Sequence, residues 1–140
     1  MKRYFSIAMA IALFVGMSSC EAQSQKSNEV NASAGDQKVT VYYFHMTSRC
    51  VTCRNVETVS KQSVQELYPQ KYQSGEIEFK EVNLELPENQ KLIESLKVHG
   101  QSLLVVKGDK QHDITDKGFL YARSQPDRLK EEIRKAVDSL

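Results

Sequence analysis

What this sequence lacks narrows it more than its composition does. No glycine-rich dinucleotide fingerprint follows any strand-like segment, so a flavin or nicotinamide site is not expected, and no cofactor is. There is no glycine-rich phosphate loop and no Ser/His/Asp spacing, and no carboxylates pair in an apolar setting to suggest hydrolysis. An excess of either charge is missing too. The 19 Lys and Arg stand against 18 Asp and Glu, which offers no basic surface for nucleic acid and no polyacidic partner. No internal repeat is visible, and 140 residues leave room for one domain with an ordinary core, not two. Cysteine is scarce: Cys20, Cys50 and Cys53 are all there are.

The N-terminus reads as an address. Lys2 and Arg3 precede an apolar stretch from Phe5 to Val15 that is too short to span a bilayer, and Gly16-Met17-Ser18-Ser19 leads to Cys20. That is the layout of a secretory signal. Small residues directly before a lone cysteine resemble the lipobox of bacterial lipoproteins, which implies that Cys20 is acylated and becomes the first mature residue. Three acyl chains would anchor stably. A plain signal peptide cut nearby, leaving Cys20 as an odd thiol, is the alternative. Residues 1–19 are then a lipoprotein signal peptide. Residues 20–37, polar, small and aperiodic, are a lipidated flexible tether, and 38–140 form the domain. Losing Lys2 and Arg3 leaves 17 basic against 18 acidic residues, a net charge of −1. The expected location is the periplasmic side of a bacterial envelope membrane.

Within the domain, Val39 to Phe44 is β-branched and aromatic, and reads as a buried strand. Cys50 to about Tyr68 has an uneven helical face in Val56, Val59, Val64 and Leu67, and Pro69 is expected to stop it. Ser74-Gly75 is a turn. Glu76 to Leu84 alternates as a second strand with a slip near Lys80-Glu81. A helix opening at Pro87 turns Leu92, Ile93 and Leu96 inward and ends by His99-Gly100. Ser102 to Lys107 is a third strand, and Gly108-Asp109 signals a hairpin to a fourth over Lys110 to Thr115. Asp116-Lys117-Gly118 reads as a turn. Ser124-Gln-Pro-Asp127 resembles a capping box, and Leu129, Ile133, Ala136, Val137 and Leu140 line a terminal helix.

The chemistry concentrates in Cys50-Val-Thr-Cys53, where a strand gives way to a helix. The first turn of a helix presents unpaired N–H groups and the positive end of the dipole. A thiolate there is stabilised, so its pKa falls below the ~8.5 of free cysteine. A staple closing so small a loop restricts the unfolded chain little, which favours a functional pair over a structural one. Redox exchange, with Cys50 attacking and Cys53 resolving, is the leading reading; metal binding and an inert disulfide are the others.

The order β-α-β-α-β-β-α, with a parallel pair joined through a helix and a terminal hairpin, predicts an α/β chain with a single four-stranded mixed sheet flanked by helices. Phe44 to Arg54, Val82-Asn-Leu-Glu, Val98 to Gly108 and Gly118 resemble the thioredoxin-like superfamily, in its minimal form, over nearly all of 38–140. Within it, Tyr-Tyr-Phe-His-x-x-x-Arg-Cys-x-x-Cys is similar to a small bacterial family named as a nitrophenyl-compound nitroreductase subunit. That resemblance implies handling of nitroaromatic compounds or aromatic arsenicals beside a membrane permease. It also shows departures. Val51-Thr52 replaces the Gly-Pro of thioredoxins between the cysteines. The acid buried behind the pair would fall on Phe44, with His45 on the opposite face, and the cis-proline loop maps onto Gln101, whose peptide is expected to be trans.

Three further residues enter as candidates. Arg49 and Arg54 flank the pair and would stabilise the Cys50 thiolate if they lie near it; facing water, they would do little. His99, in the loop expected to face the pair, could join Cys50 and Cys53 in a Zn, Cu(I) or As carrier site. His45 and His112 read as ordinary histidines. Tyr42 and Tyr43 alternate along the strand, and neither receives a chemical role. With no nucleotide site of its own, an exported dithiol must exchange electrons through a mixed disulfide. Its expected partners are a membrane thiol–disulfide transporter or permease, and a thiol protein or small-molecule substrate. A redox-inactive binding module on the same fold is the remaining class.

Overall fold

The computed structural model describes residues 38–140; the expected signal, Cys20 and the tether lie outside the described residues. The elements are β1 (Val39–His45), α1 (Val51–Leu67), α2 (Pro69–Ser74), β2 (Ile77–Asn83), a 3-10 turn (Pro87–Asn89), α3 (Gln90–Ser95), β3 (Ser102–Lys107), β4 (Lys110–Asp113), α4 (Thr115–Tyr121) and α5 (Pro126–Asp138). The strands lie in the order β2-β1-β3-β4. β1 runs parallel to β2 and antiparallel to β3, and β4 closes the antiparallel hairpin with β3. Gly108 sits at φ +55° in the hairpin turn, a backbone conformation that a side chain resists.

Central β1 is apolar along most of its length because it is covered on both faces. Val41 and Tyr43 enter a large core with Val56 and Val64 of α1, Ile77, Leu103, Val105, and Leu129 and Ile133 of α5. Phe44 enters a smaller one with Val82, Val98 and Leu104, covered by Leu92, Ile93 and Leu96 around α3. The slip expected in β2 is absent, and the register from Val39↔Ile77 to His45↔Asn83 is unbroken. The pattern shifts because β2 changes the face it buries: Ile77 and Phe79 pack in the large core, Val82 in the small one.

Four local expectations are corrected. Pro69 ends α1 but also occupies the first turn of α2, where its missing N–H is no loss. α3 stops at Ser95, and the chain turns at Lys97 (φ +54°) rather than at Gly100. Asp116 to Gly118 is not a turn but the body of α4. There the Asp113 carboxylate accepts from the Thr115 N–H at 2.9 Å, and Gly118 allows close packing, since a Cβ there would lie 3.0 Å from Leu103 Cδ2. The capping box does not form. α5 begins at Pro126 without a side-chain cap, and the Ser124 hydroxyl turns back to the Leu120 carbonyl.

Candidate redox site

β1 ends and α1 begins on either side of Cys50, which stands at the helix N-cap in extended conformation (φ −77°, ψ 170°). Its Sγ accepts from the Cys53 backbone N–H at 3.3 Å, and its carbonyl accepts from Arg54 N–H at 3.1 Å. The sulfur thus fills the role a serine or aspartate oxygen plays at other helix starts. Both cysteines are free, with their sulfurs 2.7 Å apart. Cys50 is exposed and Cys53 is 4% exposed.

The two thiols are driven in opposite directions. The hydrogen bond from the Cys53 thiol lowers Cys50 most, followed by the backbone N–H groups of Cys53 and Thr52. Burial raises Cys53 first, and the neighbouring Cys50 sulfur adds to it. Of the two, the inner sulfur is favoured to keep its proton. The outer sulfur is the one favoured as a thiolate, the form that attacks disulfides.

Behind Cys53 stands a residue that the sequence did not single out. Tyr43 is fully buried, and its hydroxyl has no hydrogen-bond partner. Burial, then Cys53 itself, raises the Tyr43 hydroxyl well above its usual range, so it remains a donor. Phe44, the expected position for a group behind the pair, points instead into the small core on the other face. Strand alternation from Val41 was the available signal, since Tyr43 must share the face that α1 covers. Glu57, also unmarked in the sequence, joins the same place. It forms an ion pair with Arg49, which lies 3.9 Å from Glu81, and Glu81 is the register partner of Tyr43 on β2. Burial, then Glu81, holds the Glu57 carboxyl above the ordinary carboxylate range.

The remaining candidates separate. Arg49 is engaged by Glu57 and Glu81, Arg54 is exposed, and neither is among the principal groups that lower Cys50. His45 is buried on the Tyr43 face, with the two rings 5.9 Å apart, and its Nδ1 meets the Met46 carbonyl at 2.9 Å. His99 is exposed. Among the described residues no group of three or more His, Cys, Asp or Glu is placed to hold a metal ion, so His99 does not complete a set with the cysteines. His112 lies against Ser139 at 3.1 Å. Gln101 precedes β3 in a trans peptide, its side-chain oxygen buried without a partner.

No family model matches this chain, and no curated protein does. Solved structures do. It is similar to thioredoxin O2 from Arabidopsis thaliana in its oxidized state, at 19% identity and a TM-score of 0.51, over 74% of this chain and 81% of that one. It is also similar to a thioredoxin of Fasciola hepatica, at 18% identity and a TM-score of 0.49, over 75% of this chain and 86% of that one. The first likeness establishes the fold: a thioredoxin-like α/β domain with a four-stranded mixed sheet flanked by helices.

Proposed function

We propose that this protein is a thiol–disulfide oxidoreductase of the bacterial envelope, anchored by a lipid on Cys20, that relays electrons through Cys50 and Cys53. The observation that carries the exchange chemistry is the split between the two sulfurs, one exposed and favoured as thiolate, the other buried and favoured as thiol. The Cys50 thiolate attacks a partner disulfide, forming a mixed disulfide and releasing one partner thiolate. Cys53 then attacks the Cys50 sulfur, closing the Cys50–Cys53 bond and releasing the second thiolate. The pair loses two electrons and the partner gains two; the reverse sequence reduces the pair again. Val51, next to Cys50 in the chain, is 65% exposed and offers apolar surface suited to a protein partner.

The electron donor in this reading is a membrane thiol–disulfide transporter or permease, and the acceptor a thiol protein or small molecule. Reductive detoxification of nitroaromatic or arsenical compounds is the role that the nitroreductase-subunit resemblance suggests for the relay. Among the described residues no third ligand stands beside the sulfurs, so no specific observation supports the carrier alternative.

Two experiments test this. Dithiothreitol and a disulfide oxidant should cycle the pair, read by maleimide labelling; a pair that cannot be cycled removes the redox reading. Cys53→Ser should trap Cys50 on its partner as a reducible adduct on a non-reducing gel. Only free monomer, in cells that keep the wild-type pair reduced, would remove the relay. The anchor is tested separately: Cys20→Ser should release the protein from the membrane fraction with its domain still folded.

A further inference from the structure

Cys50 is favoured as a thiolate only while its sulfur stays at the start of α1, yet little of the usual equipment holds it there. Met46 to Thr52 contains no buried residue, so packing does not fix the chain's approach to the helix. The two positions that often close an apolar contact across a helix start, one before the cap and four after it, are Arg49 and Arg54, two cations. Cys53 stands where a capping-box acid belongs, α1 has no acid in its first turn, and the cap itself is sulfur, a weak acceptor when uncharged.

Polar bonds from outside the helix take over. Beyond the paired strands, the chain after β1 and the chain after β2 run on side by side, the Leu84 N–H donating to the His45 carbonyl at 2.8 Å. The Thr47 N–H then donates to the Glu85 carboxylate at 2.7 Å, and the Asn83 side-chain N–H donates to the Thr47 hydroxyl at 2.9 Å. The Glu85 N–H donates to the Asn83 side-chain oxygen at 2.9 Å and closes the ring. Asn89 donates to the Asn83 carbonyl at 2.8 Å, which ties the ring to the turn before α3. The Thr47 bonds lower the Glu85 carboxyl, so the acceptor is charged and its bond the stronger for it. Two residues on, Arg49 pairs with Glu57 of α1 and lies 3.9 Å from Glu81 of β2. The approach to Cys50 is thus gripped at Thr47 and at Arg49. Asn83 and Glu85 belong to the Val82-Asn-Leu-Glu segment, which the exchange reaction leaves without a part.

Resting on the exchange reaction above, we propose that Asn83 and Glu85 are positioning residues for Cys50: through Thr47, and together with the Arg49 ion pairs, they hold the chain's approach to α1 so that the Cys50 sulfur stays on the Cys53 N–H. They act through the backbone they hold. In the mixed disulfide the Cys50 sulfur carries no charge, so the helix start attracts it less, and the two grips keep it in place for the second attack. Position and charge make opposite predictions for Glu85. A carboxylate near a thiolate disfavours it, so removing a Glu85 that acted by charge would make Cys50 more acidic. Removing a Glu85 that acts by position loosens the cap and makes Cys50 less acidic.

The test follows iodoacetamide alkylation of Cys50 across pH in the reduced full chain carrying Cys20→Ser, with the modified peptide read by mass. Glu85→Ala should raise the Cys50 midpoint by about half a pH unit, a part of the lowering that a helix start gives a thiol. Asn83→Ala, which opens the ring from its other side, should raise it too. Glu85→Gln keeps an acceptor for the Thr47 N–H without the charge, and should stay within about 0.2 of wild type. Glu85 is exposed, so its loss leaves the core intact. An unchanged or lowered midpoint in either alanine variant would overturn the proposal while leaving the exchange reading standing. So would a Glu85→Gln midpoint raised as far as that of Glu85→Ala. A wild-type Cys50 with the midpoint of an ordinary thiol would instead remove the exchange reading itself.

Discussion

Leu103 and Leu104 are neighbours on β3 and point to opposite faces of the sheet, and they meet different surroundings. Leu103 is fully buried in the core that α1, α4 and α5 cover, beside Val56 and Gly118. Leu104 is 3% exposed among Phe44, Val82 and Val98, under the single short helix α3, none of whose residues is buried. The heavily packed face is also the one that holds Cys53, Tyr43 and Glu57. A resolving thiol must be kept dry and immobile, whereas an attacking thiol must be reachable. Cys53 lies on the packed face, and Cys50 stands at its rim.

That contrast can be broken by matched substitutions. Leu103→Ala should destabilise the domain by about 4 kcal/mol in chemical denaturation, toward the upper end for a leucine with no room to relax. Leu104→Ala, under a thinner cover that can settle into the gap, should cost about 2 kcal/mol. Equal losses would show that the two faces are equivalent. Gly118→Ala sharpens the same comparison. Alanine favours a helix by about 1 kcal/mol over glycine, but its Cβ would press on Leu103 Cδ2 at 3.0 Å, and overpacking costs about 1–3 kcal/mol. A net loss of about 1 kcal/mol is expected, and a net gain would mean that the packed face has slack.

The smallest effect concerns pH. Glu57 has a folded value raised by burial and by Glu81, so the folded state holds its proton more tightly than the unfolded chain does. Stability from this source is complete below the unfolded value, about 4.3, and is lost as pH rises through the folded one. Glu57→Gln should therefore gain on wild type as pH rises over that interval, as followed by melting temperature. A constant difference across the interval would remove the strained acid from the packed face.

The strands were legible because their patterns are dense. β1 and β3 are runs of β-branched and aromatic residues, and the Gly108-Asp109 turn has one short-range solution. The Cys pair was legible for the same reason, since its chemistry depends on a local helix start. α4 was not, because its glycine serves contact with Leu103, a residue fifteen positions away, and local reading takes glycine for a turn. Tyr43 and Glu57 were missed on similar grounds. Each is unremarkable in its own segment and becomes informative only when β1 and α1 are laid together. His99 shows the converse: its loop suggested a ligand, and the fold leaves it exposed with no set to complete among the described residues.

The asymmetry of the two sulfurs is tested most directly by alkylation of the fully reduced protein with iodoacetamide across pH, with each cysteine located by peptide mass. The account predicts that Cys50 is modified first, with a pH midpoint clearly below the ~8.5 of a free thiol, and that Cys53 stays protected until the domain unfolds. Equal modification of both, each following the pH dependence of an ordinary thiol, would contradict it.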